Sequence, residues 1–141
     1  MYGVIITAHN QYASGVYSGL KLVCGGMENI AVVDFPESCG TEELDEKLRE
    51  AYESLSAYSK IIFITDLLGG TPFNRSVMNY GEKENVRVLA GLNFPLLYTA
   101  VVTPDSEDMD RDIAGMIEAG REGIAMYRAQ EKKENISEEG I

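Results

Sequence analysis

Histidine occurs once in this chain of 141 residues, tryptophan not at all and cysteine twice. A single imidazole cannot build a histidine-rich metal centre. Cys24 and Cys39 lie too far apart for a CxxC site, so the sequence holds no zinc constellation. Two cysteines in a chain of this size read as reduced thiols rather than a disulfide framework. Basic residues are also scarce: 12 Lys and Arg face 23 Asp and Glu, for a formal net charge of -11. Such a surface repels phosphate backbones and anionic lipid, which disfavours nucleic acid as a partner and favours a protein with a basic docking face. No apolar run approaches the roughly 20 residues that span a bilayer. The amino-terminal residues lack the basic start and small-residue cleavage site of a signal peptide. These absences lead to the expectation of a soluble, cytoplasmic protein with no metal and no cofactor. Its length suits one domain, set at residues 1–128, followed by a charged, frayed tail at 129–141.

What the chain does contain is a regular alternation. Tyr2 to Asn10 (YGVIITAHN) is a short β-branched run that stops at the sole histidine, His9, and it reads as a buried strand. Ala13, Val16, Tyr17, Leu20, Val23, Cys24 and Met27 then follow the spacing of one buried helical face, with Asn10 as candidate N-cap and Gly25-Gly26 as the stop. Asn29 to Phe35 predicts a second strand. Thr41 is the expected cap of a second helix, with Glu42 and Glu43 favourably placed in its first turn. Lys60 to Thr65 (KIIFIT) is a continuous apolar strand, hence central. Thr71 followed by Pro72 predicts another helix start, as cap and first helical residue. Asn85 to Ala90 is strand four. A short helix from about Pro95 to Val102 and a longer one from about Asp105 to Arg121 follow, and residues 123–128 extend that helix or form a short strand.

Strand and helix in alternation mean an α/β fold of three layers, a doubly wound, mainly parallel sheet of four strands with right-handed crossovers. The common order for four such strands is 2-1-3-4. Strands one and three are then neighbours whose connections leave in opposite directions, and ligands bind in the crevice at their carboxyl ends. His9 and Asp66 fall there. A carboxylate bonded to one ring nitrogen fixes the tautomer and leaves the other lone pair outward, which makes the imidazole a nucleophile near neutral pH. After Asp66, Gly69 and Gly70 permit a tight turn into a helix N-terminus, a geometry that presents N–H groups to an anion, and Thr71 adds a hydroxyl. An oriented imidazole beside a phosphate-sized cradle suits a carrier of phosphoryl groups on histidine. It suits hydrolysis less well, because no second general base or metal cluster is visible.

Four segments make a resemblance specific: TAHNQYASG (Thr7 to Gly15), DLLGGTPFN (Asp66 to Asn74), AGLNFPLL (Ala90 to Leu97) and EAGREGI (Glu118 to Ile124). Together the chain resembles the mannose-family (mannose/fructose/sorbose) enzyme IIA component of the bacterial sugar phosphotransferase system, over nearly its whole length up to about residue 128. The resemblance implies that His9 takes a phosphoryl group from phospho-HPr on its outward nitrogen and passes it to a IIB component. In that scheme Asp66 is the hydrogen-bond partner of His9 and Thr71 a phosphoryl contact. It also implies a homodimer, in some relatives with an exchanged antiparallel C-terminal strand, which tilts residues 123–128 towards an edge strand. Membrane components IIC and IID would be met only indirectly, and the IIB acceptor would be a separate chain. The sequence departs from the family at Asn10, where a Gly is usual, while Tyr12 fills the aromatic position. Asn tolerates unusual backbone angles, and its amide is a candidate phosphate contact or a narrowing of access to His9.

Two other readings keep the fold: a phosphotransfer subunit for dihydroxyacetone kinase, and a non-catalytic regulatory module. A receiver domain is disfavoured, because TAHN supplies no acidic cluster at the end of strand one. Asp105, Asp108, Asp110 and Asp112 lack the spacing and central glycine of a calcium loop and read as a solvated helix start.

Overall fold

A computed structural model describes residues 1–129 and 138–140. Its elements run β1 (Gly3–His9), α1 (Tyr12–Cys24), β2 (Ile30–Phe35), α2 (Thr41–Ser54), β3 (Ile61–Thr65), α3 (Thr71–Tyr80), β4 (Val86–Ala90), α4 (Phe94–Val102) and α5 (Met109–Glu122). The four strands form one sheet in the order β2-β1-β3-β4, with every neighbouring pair parallel. The tail lies largely outside the described residues.

Alternation along the strands divides the core in two. Val4, Ile6 and Ala8 of β1, with Ile62 and Ile64 of β3, pack under α1, α4 and α5, against Leu20, Leu97 and Met116. Ile5 and Phe63 point the other way, onto Leu44 and Leu48 of α2. There Phe63 and Tyr52 stack with Tyr80 of α3, at centroid distances of 4.9 and 4.7 Å. β1 and β3 are buried on both faces, as expected of central parallel strands.

The helix starts differ from the sequence reading by one residue. Gly40 and Gly70, both extended (φ -81° and -72°), are the N-caps of α2 and α3, so Thr41 and Thr71 are first helical residues and make no capping bond. Gln11, not Asn10, stands at the N-cap of α1. Asn10 instead takes a left-handed conformation, φ 51°. α5 starts at Met109 rather than near Asp105, with Asp108 accepting the Arg111 amide. The acidic run is committed to protein partners: Asp105 pairs with the amino terminus, Asp110 with Arg87, and Asp112 accepts from Tyr2 and Ser106.

An antiparallel C-terminal edge strand is not formed among the described residues. Residues 124–128 have no regular structure, and Ile124, Met126 and Tyr127 are 78%, 64% and 59% exposed. The Ile124 amide turns back to the Arg121 carbonyl at 3.2 Å, which prolongs the helical turn instead of laying the segment along β4. The free edge of β4 borders a largely apolar cleft of about 640 Å³, whose walls include Phe73, Ile113, Ile117 and Ile124.

Candidate functional site

All four strands point the same way, so their carboxyl ends gather at one rim of the sheet. In the observed order β1 lies between β2 and β3, which brings His9, Phe35 and the residue after β3, Asp66, together. Asp66 Oδ2 accepts the His9 backbone amide at 3.0 Å and lies 2.8 Å from His9 Nδ1. A carboxylate can only accept, so Nδ1 carries a proton, and in the neutral imidazole the lone pair is on Nε2. The His9 side chain is 44% exposed and that of Asp66 is 18% exposed. The imidazole is thus partly open to solvent while the acid beside it is sheltered.

Burial disfavours the charged form of Asp66. The His9 amide, the His9 ring and the nearby Leu67 amide outweigh it and hold the carboxyl below the usual carboxylate range. Phe35 meets the imidazole edge to face, with ring centroids 5.8 Å apart and planes at 71°. The third wall is Gly70. A β-carbon there would stand 2.8 Å from His9 Cε1 and 3.2 Å from the Leu67 carbonyl, so the α3 N-terminus approaches the ring only because this position has no side chain.

The glycine turn is built as the motif suggests. Gly69 is left-handed (φ 80°), and the Gly70 amide closes the turn on the Leu67 carbonyl at 2.9 Å. Asn74 then bonds Gly70 and Gly69 carbonyls, so α3 starts abruptly. Among the described residues the amides of Thr71 and Phe73 have no partner, as befits a helix start, and Pro72 has none to offer. These donors and the Thr71 hydroxyl stand at the N-terminus of the helix whose preceding residue, Gly70, abuts the His9 ring. Chemically the arrangement can take an electrophile at Nε2 and stabilise negative charge beside it.

Of the sequence candidates, His9, Asp66 and Gly70 are in contact, Gly69 shapes the turn, and Thr71 starts the adjoining helix. Asn10 follows His9 and is exposed, held by its amide on the Phe35 carbonyl at 2.7 Å. Two contributors, Phe35 and Asp34, escaped the sequence reading, and a third, Tyr12, was noted only as the aromatic of the motif. Phe35 was predictable from strand order, since it ends the other neighbour of β1. Asp34 accepts the Ser14 amide at 3.0 Å and steadies α1, which has no capping side chain of its own. Tyr12 donates to the Leu92 carbonyl at 2.6 Å, a link that no local pattern announces.

The family model EIIA-man, described as PTS system fructose IIA component, matches residues 3–117. The PTS system mannose-specific EIIAB component of Escherichia coli (strain K12) is 30% identical over 128 residues, which are 90% of this chain and 40% of that protein. The chain therefore spans less than half the length of that curated relative. The PTS system fructose-specific EIIA component of Bacillus subtilis is 28% identical over 97 residues, 69% of this chain and 66% of the relative. Among solved structures, phosphotransferase system component EIIA from Streptococcus agalactiae superposes with a TM-score of 0.79 at 31% identity, covering 89% of this chain and 97% of that one.

Proposed function

Since the chain belongs to the mannose/fructose/sorbose family of phosphotransferase-system IIA components, we propose that it is a phosphoryl carrier whose carrying atom is Nε2 of His9. The observation that supports this most directly is the 2.8 Å contact between His9 Nδ1 and Asp66, which leaves the opposite nitrogen nucleophilic. The Nε2 lone pair attacks the phosphorus of a phosphohistidine donor. The new N–P bond forms as the donor's N–P bond breaks, and the donor imidazole leaves with the bonding electrons. The Nδ1 proton stays between the ring and Asp66 throughout, so the positive character gained by the ring faces a fixed carboxylate. Thr71, the Gly69-Gly70 turn and Asn10 receive the phosphoryl oxygens. The reverse displacement passes the group on.

The donor in this reading is phospho-HPr and the acceptor a IIB component, with IIC and IID reached only through it and the sugar never touching this chain. The reaction takes place in the cytoplasm; among the described residues no helix is long and apolar enough to cross a membrane. The unit that acts is a homodimer covering the cleft beside β4, where Ile113 and Ile117 line the wall and Ile124 stands exposed. The dihydroxyacetone kinase and purely regulatory readings are not favoured, because the matched family and relatives carry sugar-system IIA names.

Incubation with phosphoenolpyruvate, enzyme I and HPr should place one acid-labile phosphate on the wild-type chain and none on His9→Ala. No label on wild type, or full label on His9→Ala, rules the assignment out.

A further inference from the structure

The turn that carries His9 into α1 is held from outside itself. α1 has no capping side chain of its own and no acidic residue in its first turn, so Asp34 of β2 accepts the Ser14 amide, and Asn10 before the helix is the one non-glycine with positive φ among the described residues. A left-handed side chain there needs support from its surroundings. On one side the Asn10 amide is anchored to Phe35. On the other, two residues on, the Tyr12 hydroxyl closes on the Leu92 carbonyl at 2.6 Å.

The loop that receives Tyr12 is tied to the acid half of the site. The Gly91 amide donates to the Asp66 carbonyl at 3.1 Å, and the Leu92 amide to the Thr65 carbonyl at 2.9 Å. Gly91 itself is left-handed, φ 93°. The same loop continues into Asn93, which caps α4 through the Leu96 amide and donates to the Gly120 carbonyl of α5. His9 and Asp66 are therefore joined by a second route, from the ring's own turn through Tyr12 and Leu92 to the backbone of Asp66. This accounts for the AGLNF segment, which contributes no side chain to the ring.

We propose that Tyr12 is a positioning residue: its hydroxyl clasp on Leu92 keeps the His9 turn and the Asp66 strand end in one alignment, and so sets the rate of phosphoryl transfer without touching the donor. The proposal rests on the carrier reading. Its test is Tyr12→Phe, which removes one oxygen from a side chain that is 45% exposed and leaves the core untouched. Single-turnover phosphorylation should be followed over a range of phospho-HPr concentrations. The plateau rate should fall about fivefold, the scale of one hydrogen bond, with the half-saturating donor concentration unchanged. In the unphosphorylated protein, the proton resonance of His9 Nδ1 should exchange faster with water in Tyr12→Phe than in wild type. A plateau rate within twofold of wild type together with an unaltered Nδ1 resonance overturns the proposal. A raised half-saturating concentration with an intact plateau also overturns it, since Tyr12 would then be a donor contact. If wild type takes no phosphate at all, the carrier reading fails, while the Nδ1 measurement still decides whether Tyr12 steadies the His9 and Asp66 pair.

Discussion

Asp66 grips His9 twice with a single oxygen, taking the backbone amide at 3.0 Å and facing the ring nitrogen at 2.8 Å. The two contacts act on different degrees of freedom. The first fixes the end of β1 against the end of β3. The second fixes the rotation of the imidazole about its own side-chain bonds. Neither alone would specify where Nε2 points.

Replacing the acid by its amide tests this directly. Asp66→Asn keeps the shape but removes the charge and lets the amide group turn its N–H₂ towards the ring, favouring the wrong tautomer. We expect a folded protein whose phosphoryl transfer falls on the order of 100-fold, as when orienting partners of reactive groups are lost. Rapid-quench transfer from phospho-HPr measures it, and a rate within about twofold of wild type counts against the orienting role.

The depressed pKa of Asp66 carries a pH consequence. Its carboxyl ionises more readily in the folded chain than in the unfolded one, whose value is about 3.9. The stabilisation is therefore present above about pH 4 and is lost as pH falls through the lower, folded value. Melting temperatures of wild type should drop faster than those of Asp66→Asn as pH is lowered through that window. Parallel curves would mean that the pair adds nothing to acid stability.

Glycines at two positions of the recognisable segments should respond oppositely to alanine. At Gly70 the new methyl would press on His9 Cε1 at 2.8 Å, so Gly70→Ala should cost about 1–3 kcal/mol and cut transfer more than tenfold. At Gly15, inside α1, a β-carbon meets nothing within 4 Å. Gly15→Ala should raise stability by roughly 0.5–1 kcal/mol and leave transfer unchanged. Thermal melts and single-turnover assays on the pair separate steric need from mere recurrence in a motif.

The homodimer reading is testable at its margin. Ile124 is 78% exposed in the single chain, so Ile124→Asp should leave the fold intact and move the protein towards monomer. Sedimentation at micromolar concentration reads the outcome. An unchanged dimer would place the contact elsewhere, and a monomeric wild type would remove the dimer altogether.

The sheet was legible in the sequence because its signals are long and redundant: four β-branched runs, each followed by a helical stripe, admit few arrangements. Strand order alone then set His9 beside Asp66. Finer features were hidden for physical reasons. Thr41 and Thr71 look like caps, yet an extended glycine precedes each and takes that position. The side chain of Asp34 reaches across from β2 to the start of α1, and Tyr12 bonds a carbonyl 80 residues away. Neither relation leaves a local trace in composition or spacing. Residues 123–128 are tilted towards a strand by the resemblance alone; their own side chains carry no strand pattern, and the chain after α5 forms no ladder among the described residues.

β1 is flanked by hydrogen-bonded strands on both sides, and its first six residues are wholly enclosed. Its inner amides should be among the last in the molecule to trade hydrogen for deuterium. The imidazole is thus mounted at the end of a doubly flanked beam, not on a swinging arm.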